Sequence, residues 1–315
     1  MDAGEVNGGR PRGKGIPGVP VAAGLWLAPL RGVTIRAFRE TFAPEILSAD
    51  FCGMVAPFIP ANPGIRVGDR LLADLQPFGR HSPLLVPQVI TRHPDAMREL
   101  LKGLKDRGFA RVDLNAGCPF PMVVRRGRGS GLLRTPDMLD RLLEAGCDEM
   151  GAGCFSLKTR LGFERPDELL GLMPILNRYP LAAVTVHART ARQMYEGACD
   201  MRAFAAVCAA SANPVIYNGD VRLDGVNGVG IPNGLKALKG VMVGRGFIRA
   251  LGAMEGSTVR LHEYVARSQA ELRGDRPVLG RMKELLSYWA ESSPHWHSLW
   301  PAVKICRTVD ELLSL

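Results

Sequence analysis

The chain has 315 residues, 46% of them hydrophobic and 23% charged, with a formal net charge of +9. That length suits one large domain with a smaller appendage, and the charge favours polyanionic partners. Seven cysteines form no C-x-x-C pair, which argues against a zinc ribbon or a disulfide framework, and no uncharged apolar run reaches the roughly 18 residues of a membrane span.

The opening stretch, "MDAGEVNGGRPRGKGIPGVP" (1–20), lacks the apolar centre of a signal peptide. It reads as a mobile arm carrying Arg10, Arg12 and Lys14. Reduced cysteines and the missing leader lead us to expect a cytoplasmic protein.

Eight short apolar runs follow: 25–29, 51–59, 84–90, 111–115, 155–160, 182–188, 214–219 and 240–246. Near-continuous hydrophobic runs are what strands buried on both faces require. Helical patterns separate them, such as 93–108 and 135–146. The second starts with Thr135 as N-cap and Pro136 in the first turn, and is predicted to end at Gly146. Glycines interrupt the helix expected over 220–239. Strand–helix alternation repeated about eight times predicts a (β/α)8 barrel over residues 21–250, with a doubly wound open sheet as the alternative. Residues 251–315 show only amphipathic helical patterns and are expected to form a small all-helical domain.

A barrel gathers its functional groups at the C-terminal ends of its strands. Polar or conformationally special residues occur there: Pro29, Gln88, Asn115 with Cys118, Lys158, His187, Asn218, and Gly244 with Arg245. The loops "NGD" (218–220) and "GRG" (244–246) follow the last two strands. Barrels often bind phosphate there, because glycine lets backbone N–H groups approach the anion and arginine adds charge. A phosphorylated cofactor across the barrel mouth brings Lys158 and Gln88 within reach of its ring. A lysine beside a flavin favours the anionic reduced form. The competing role for Lys158 is a Schiff base. No G-x-G-x-x-G opens a strand–helix unit, so a Rossmann domain is not expected.

The ordered fragments "APLRGVTIRAFR", "VDLNAGCP", "SLKTRLGF", "VTVHARTARQMYEG", "PVIYNGDV" and "GVMVGRG" resemble the tRNA-dihydrouridine synthases, and "RMKELLSYW" (281–289) is similar to their helical C-terminal domain. The resemblance implies an FMN-binding barrel followed by a tRNA-binding helical domain, with NADPH as reductant. It implies that Ala28, Pro29 and Leu30 line the flavin, and that Gln88, Lys158 and His187 contact it. It assigns Asn218, Gly219, Asp220, Gly244 and Arg245 to the phosphate side. Asn115 is implied in positioning the uracil and Cys118 in acting as catalytic acid. In two places the chain departs from the family pattern. Phe120, Pro121 and Met122 stand where many members carry a basic residue, and Ile35 replaces a common acidic one.

The implied reaction delivers hydride from reduced FMN to carbon 6 of uracil and a proton to carbon 5. An unperturbed thiol, with a pKa of about 8.5, is mostly protonated at neutral pH and suits the second task. A nucleophilic cysteine needs a lowered pKa, which nearby Arg125 or Arg126 would supply. The loop "RRGRGSGLLR" (125–134) is expected to clamp RNA phosphates through Arg125, Arg126 and Arg128, its glycines letting it close over an extruded base. Tyr288, Trp289, Trp296 and Trp300 are candidates for core or for stacking on RNA. "HWH" (295–297) lacks further ligands, so no metal site is expected. A monomer without a stable protein partner is expected. Two other readings share parts of this pattern: an FMN barrel oxidoreductase for a small pyrimidine-like substrate, similar to a dihydroorotate dehydrogenase, and an RNA-binding barrel without catalysis.

Overall fold

The computed structural model describes residues 24–64, 66–76, 82–224, 228–230 and 240–315. The expected arm at 1–20 lies outside them. The eight apolar runs form eight parallel strands: β1 (Gly24–Leu27), β2 (Gly53–Val55, resuming at Ile59–Pro60), β3 (Leu84–Val86, resuming at Gln88–Ile90), β4 (Val112–Ala116), β5 (Phe155–Gly162), β6 (Val184–Thr190), β7 (Val215–Asn218) and β8 (Gly240–Val243). Each pairs with its sequence neighbour, and β8 pairs with β1, so the sheet closes on itself.

Pro57 and Pro87 lie in the gaps that split β2 and β3, because proline brings no N–H to a ladder. The register survives the interruption: the Ala56 amide donates to Val86 and the Asp113 amide to Pro87, both at 2.9 Å. Trp26, Ala28, Val55, Val86, Ala183, Ile216 and Met242 form a buried cluster of their own, the plug inside the barrel. Trp26 fits only because residue 53 is glycine; a Cβ there would lie 2.3 Å from the indole.

Helices surround the strands: α1 (Arg36–Thr41), α2 (Ala43–Ser48), α3 (Pro94–Lys105), α4 (Pro136–Met150), α5 (Glu168–Leu176), α6 (Met201–Ala210) and α7 (Arg245–Gly252). Three expectations are corrected. Helix α4 runs through Gly146 to Met150, because Gly146 is a packing glycine whose Cβ would meet Phe155 at 2.2 Å. Strand β6 continues past His187 to Thr190, all seven residues being buried. The connection after β7 begins as a hairpin, Arg222–Asp224 against Gly228–Gly230, where a helix was expected; residues 225–227 and 231–239 lie outside the described ones.

The chain ends in α8 (Ser257–Glu271), α9 (Asp275–Ala290), α10 (Pro294–Ile305) and α11 (Val309–Leu313). These helices share one apolar core with the barrel's outer layer. The Trp289 ring centroid lies 6.1 Å from Phe42 and 5.2 Å from Trp296. Gly252 lets α9 approach, since a Cβ there would sit 2.4 Å from Trp289. Trp289 and Trp296 are thereby core residues, whereas Tyr288 and Trp300 are half-buried. No cluster of metal-ligating side chains exists among the described residues, and none of their helices is long and apolar enough to cross a membrane.

Candidate active site

The C-terminal ends of the strands surround an open cleft. Its wall includes Ala28, Pro29 and Leu30 after β1, Asn115 and Cys118 from β4 and its loop, Lys158 from β5 and His187 from β6. Asn218 and Gly219 close it at β7, and Gly244 with Arg245 at β8. The strand-end residues read from the sequence therefore converge. Gln88 and Asp220 do not reach this wall. Gln88 is fully buried with both ends of its amide engaged, and Asp220 pairs with Arg189 at 2.6 Å.

The cysteine turn is held by a chain of hydrogen bonds whose direction is fixed at both ends. Ser156 Oγ donates to Asp113 Oδ1 at 2.6 Å, and Gln88 Nε2 donates to Asp113 Oδ2 at 2.7 Å. Asn115 Nδ2 donates to Gln88 Oε1 at 2.9 Å. Asn115 Oδ1 then accepts from the amides of Gly117 (3.1 Å) and Cys118 (2.9 Å). An ionised carboxylate only accepts and backbone amides only donate, so neither amide side chain can reverse without losing bonds. Burial pushes the Asp113 carboxyl up to about 6, opposed by Ser156, Gln88 and the Lys158 charge. Gln88, expected at the flavin itself, lies beneath the cleft wall. Asn115→Ala would orphan the two loop amides, at roughly 1–3 kcal/mol. We expect slower turnover together with faster backbone exchange at Gly117 and Cys118; unchanged exchange would contradict the role.

The loop after the cysteine is more ordered than its glycines imply. Gly129–Arg134 forms a 3-10 helix whose first five residues are buried. The Ser130 amide and hydroxyl both donate to the Cys118 carbonyl, at 3.0 and 3.1 Å. Gly129, at φ +58°, allows this approach, because a Cβ there would lie 2.6 Å from that carbonyl. These glycines clamp the turn. Arg128 reaches Asn62 and is half-buried, while Arg125 and Arg126 are exposed.

Sequence reading missed Arg160 and Arg189, yet each lies two residues beyond a recognised strand-end group, Lys158 or His187, and so shares its face. Arg160 is 2% exposed. Its Nε donates to the Gly117 carbonyl at 2.8 Å, and one terminal nitrogen donates to Thr190 (2.9 Å) and Met194 (2.6 Å). Met194 adopts a left-handed φ of 49°, and the Tyr195 ring that follows lies between Arg160 (5.3 Å) and Arg245 (4.8 Å). Arg31, over the Phe58 ring at 5.5 Å, completes the cationic wall.

Burial pushes the Cys118 thiol up; the Phe120 amide and the charges of Arg160, Arg31 and Lys158 oppose it. The expected influence of Arg125 and Arg126 is replaced by these cations, because the chain past Pro121 carries those arginines to the surface. Lys158 keeps a partial opening to the cleft, but the barrel atoms around its ammonium and the Arg160 charge bring it down to about 8. Its Nζ donates to Asn218 at 2.9 Å. Burial and four surrounding cations hold His187 well below its ordinary value, so the imidazole is neutral. Arg189 can only donate, so His187 Nε2, 3.3 Å away, accepts and the ring proton sits on Nδ1.

Comparison with known proteins bears on the family and the fold. The sequence model of the family described as "Dihydrouridine synthase (Dus)" matches residues 26–271. A probable tRNA-dihydrouridine synthase of Rhodobacter capsulatus is 34% identical over 232 residues, 70% of this chain and 66% of that one. One from Staphylococcus epidermidis is 28% identical, covering 73% and 70%. tRNA-dihydrouridine synthase B of Vibrio cholerae is 30% identical, covering 62% and 60%. Among solved structures, a mutant of morphinone reductase in complex with tetrahydroNAD aligns with a TM-score of 0.51 at 12% identity, covering 71% of this chain and 83% of that one, a likeness of fold. With the family match running from β1 through α8, the chain belongs to the dihydrouridine synthase family.

Proposed function

We propose that this protein reduces specific uridines in tRNA to 5,6-dihydrouridine, using FMN as cofactor and NADPH as reductant, as a cytoplasmic monomer. The observation that carries the reading is the cleft's composition: a protonated thiol at its rim, four cations on its wall (Arg31, Lys158, Arg160 and Arg245) and no carboxylate among its described lining residues. Such a wall suits a phosphate-bearing cofactor and a nucleotide substrate.

The residues present fit FMN. A Cβ at Gly244 would lie 3.3 Å from Ala28 Cβ, so glycine keeps this corner of the cleft open to backbone approach. Gly244 is also the N-cap of α7, whose first N–H groups have no partner within the helix, and Arg245 adds its charge. Ala28, Pro29 and Leu30 offer an apolar floor for the ring. Lys158 and His187 flank it, and Asn218 and Gly219 complete the phosphate side. Bound FMN supplies the hydride that reduces the 5,6 double bond. Cys118 supplies the proton to carbon 5 of uracil. The thiolate left behind is stabilised by the groups that oppose its raised pKa: the Phe120 amide and the Arg160, Arg31 and Lys158 charges. Asn115 positions the cysteine turn and, from the cleft wall, the uracil. Arg125 and Arg126 grip RNA phosphates, with Arg128 behind them, and the helical segment 251–315 extends the tRNA-binding face.

Nucleoside mass spectrometry of tRNA incubated with the flavin-loaded protein and NADPH tests this directly. Dihydrouridine should accumulate; its absence, with a free pyrimidine base reduced instead, would favour the small-molecule oxidoreductase. FMN binding is also expected to depend on pH. Below about pH 8 Lys158 is charged in the free protein and affinity is level; above it the charge is lost and affinity declines. Lys158→Met should abolish the break. A profile that stays level to pH 10 would contradict the assignment.

A further inference from the structure

The residue that breaks the family pattern after the cysteine has a distinctive setting. Phe120 lies on the cleft wall beside Cys118, and its backbone amide faces the thiol. Its ring is nonetheless 46% exposed, and the neighbouring Met122 is 72% exposed. An exposed aromatic at a cleft mouth loses freedom when it meets a ligand, and here the backbone that carries it is restrained before any ligand arrives. Pro119 and Pro121 restrict the backbone on both sides. The Phe120 carbonyl accepts from the amides of Val123 (2.9 Å) and Val124 (3.0 Å), fixing it to the helical turn Pro121–Val124.

The surroundings of this ring are cationic. Arg125 and Arg126 follow on the same turn, and Arg92 lies against Gly127, its Nη1 3.5 Å from where a Cβ would stand. Arg92 and Arg126 both act on Arg128 through space. None of Arg92, Arg125 and Arg126 has a carboxylate within ion-pair distance among the described residues. An exposed aromatic on a restrained turn beside arginines without a carboxylate partner is an arrangement that holds single-stranded nucleic acid, the ring stacking on a base while the cations follow the phosphates.

We infer that Phe120 is the stacking platform for the nucleobase adjacent to the uridine that enters the cleft. The inference rests on the tRNA reading above and deepens it. Extruding one base unstacks its neighbour, and the Phe120 ring replaces the lost stacking surface at the cleft rim. Where the family pattern carries a basic residue, this chain presents a π-face to a base. Recognition therefore shifts from charge toward the stacking strength of the flanking nucleotide.

The test uses the flavin-loaded full chain. Mass spectrometry with the unaltered protein first locates the reduced uridine; if no tRNA yields dihydrouridine, the functional reading falls and this inference with it. Transcripts are then made with an abasic site on the 5′ or 3′ side of that uridine. Phe120→Ala is expected to lower kcat/KM on intact tRNA about ten-fold or more, the loss of one base–aromatic stack. Phe120→Trp should stay within about three-fold of the unaltered protein, since the indole offers a larger π-face. One of the abasic transcripts should lose the same factor with the unaltered protein and lose nothing further with Phe120→Ala. Equal kcat/KM for Phe120→Ala and the unaltered protein on intact tRNA would overturn the inference while leaving the function intact. So would losses that multiply for both abasic transcripts. A melting scan of Phe120→Ala guards against a folding artefact, and the rescue by tryptophan distinguishes stacking from loss of the turn.

Discussion

Replacing Cys118 with alanine should slow uridine reduction by roughly 10²- to 10⁴-fold, the usual worth of a positioned general acid, while NADPH still reduces the bound flavin. The thiol is suited to hold its proton, because burial outweighs the cations beside it. It is suited to lose that proton only once, to a carbon that has become negative, because Phe120 N–H and three positive charges await the thiolate. A nucleophile needs the reverse order, ionised at rest. Cys118→Ser should not restore the rate, since an alkanol is a far weaker acid. The measurement is a stopped-flow comparison of the two half-reactions. Equal slowing of both would remove the acid role, and rapid alkylation of Cys118 by iodoacetamide at pH 7 would show a resting thiolate instead. The sign of the pH dependence follows from the raised pKa. The acid form persists past the ordinary thiol range, so the alkaline loss of activity below that range belongs to Lys158, at about 8.

Arg160→Met should abolish most activity and leave stability nearly unchanged. Two opposing terms decide this. Burial, aided by the Arg189 charge and opposed by Tyr195 and Cys118, brings the guanidinium down to about 10 from 12.5, so keeping it charged costs the fold roughly 3 kcal/mol. Against this stand its hydrogen bonds to the Gly117, Thr190 and Met194 carbonyls, worth about 1.5–3 kcal/mol each for a charged donor, less the desolvation of the acceptors. Before desolvation of the three carbonyls the bonds outweigh the cost, and that desolvation brings the two sides to within a few kcal/mol, as is common for buried charges. What methionine cannot replace is the geometry. Arg160 joins the cysteine turn, through Gly117, to the loop that carries Tyr195, and a displacement of 1 Å in such a constellation can cost about 100-fold in rate. We expect a melting temperature within about 4 °C of the unaltered protein and a rate at least 100-fold lower. Arg160→Lys should not rescue it, because one ammonium cannot span carbonyls on two loops. A large fall in melting temperature would make the residue structural, and retained activity would remove the positioning role.

The two residues also differ in how visible they are in the sequence. Cys118 stands out because it is alone behind an apolar run, followed by prolines, and because six other strand ends carry polar or conformationally special residues. Arg160 does not, although it lies two positions from Lys158, because buried arginine is rare enough to be taken for surface. Gln88 was legible as important but assigned one layer too high: nothing in "LLVPQVI" reveals that Asp113 and Asn115 take both ends of its amide. The glycines of 125–134 imply a flexing loop until Ser130 is found bonded to the Cys118 carbonyl.

The sequence by itself determined the eight strands, their order and the groups at their ends. Burial on both faces demands continuous apolar runs, and period two decides which residues share a face. Even the interruptions at Pro57 and Pro87 follow from a missing N–H. What only the tertiary structure decided is which of these groups is charged, which is neutral and which is held. Closing the barrel brings Asp113, Gln88 and Ser156 together under the cysteine turn, and Arg160, Lys158 and Arg31 around its thiol. Proton affinity depends on desolvation and on charges within a few ångströms. Those distances belong to no single strand, and they exist only once β8 has paired with β1.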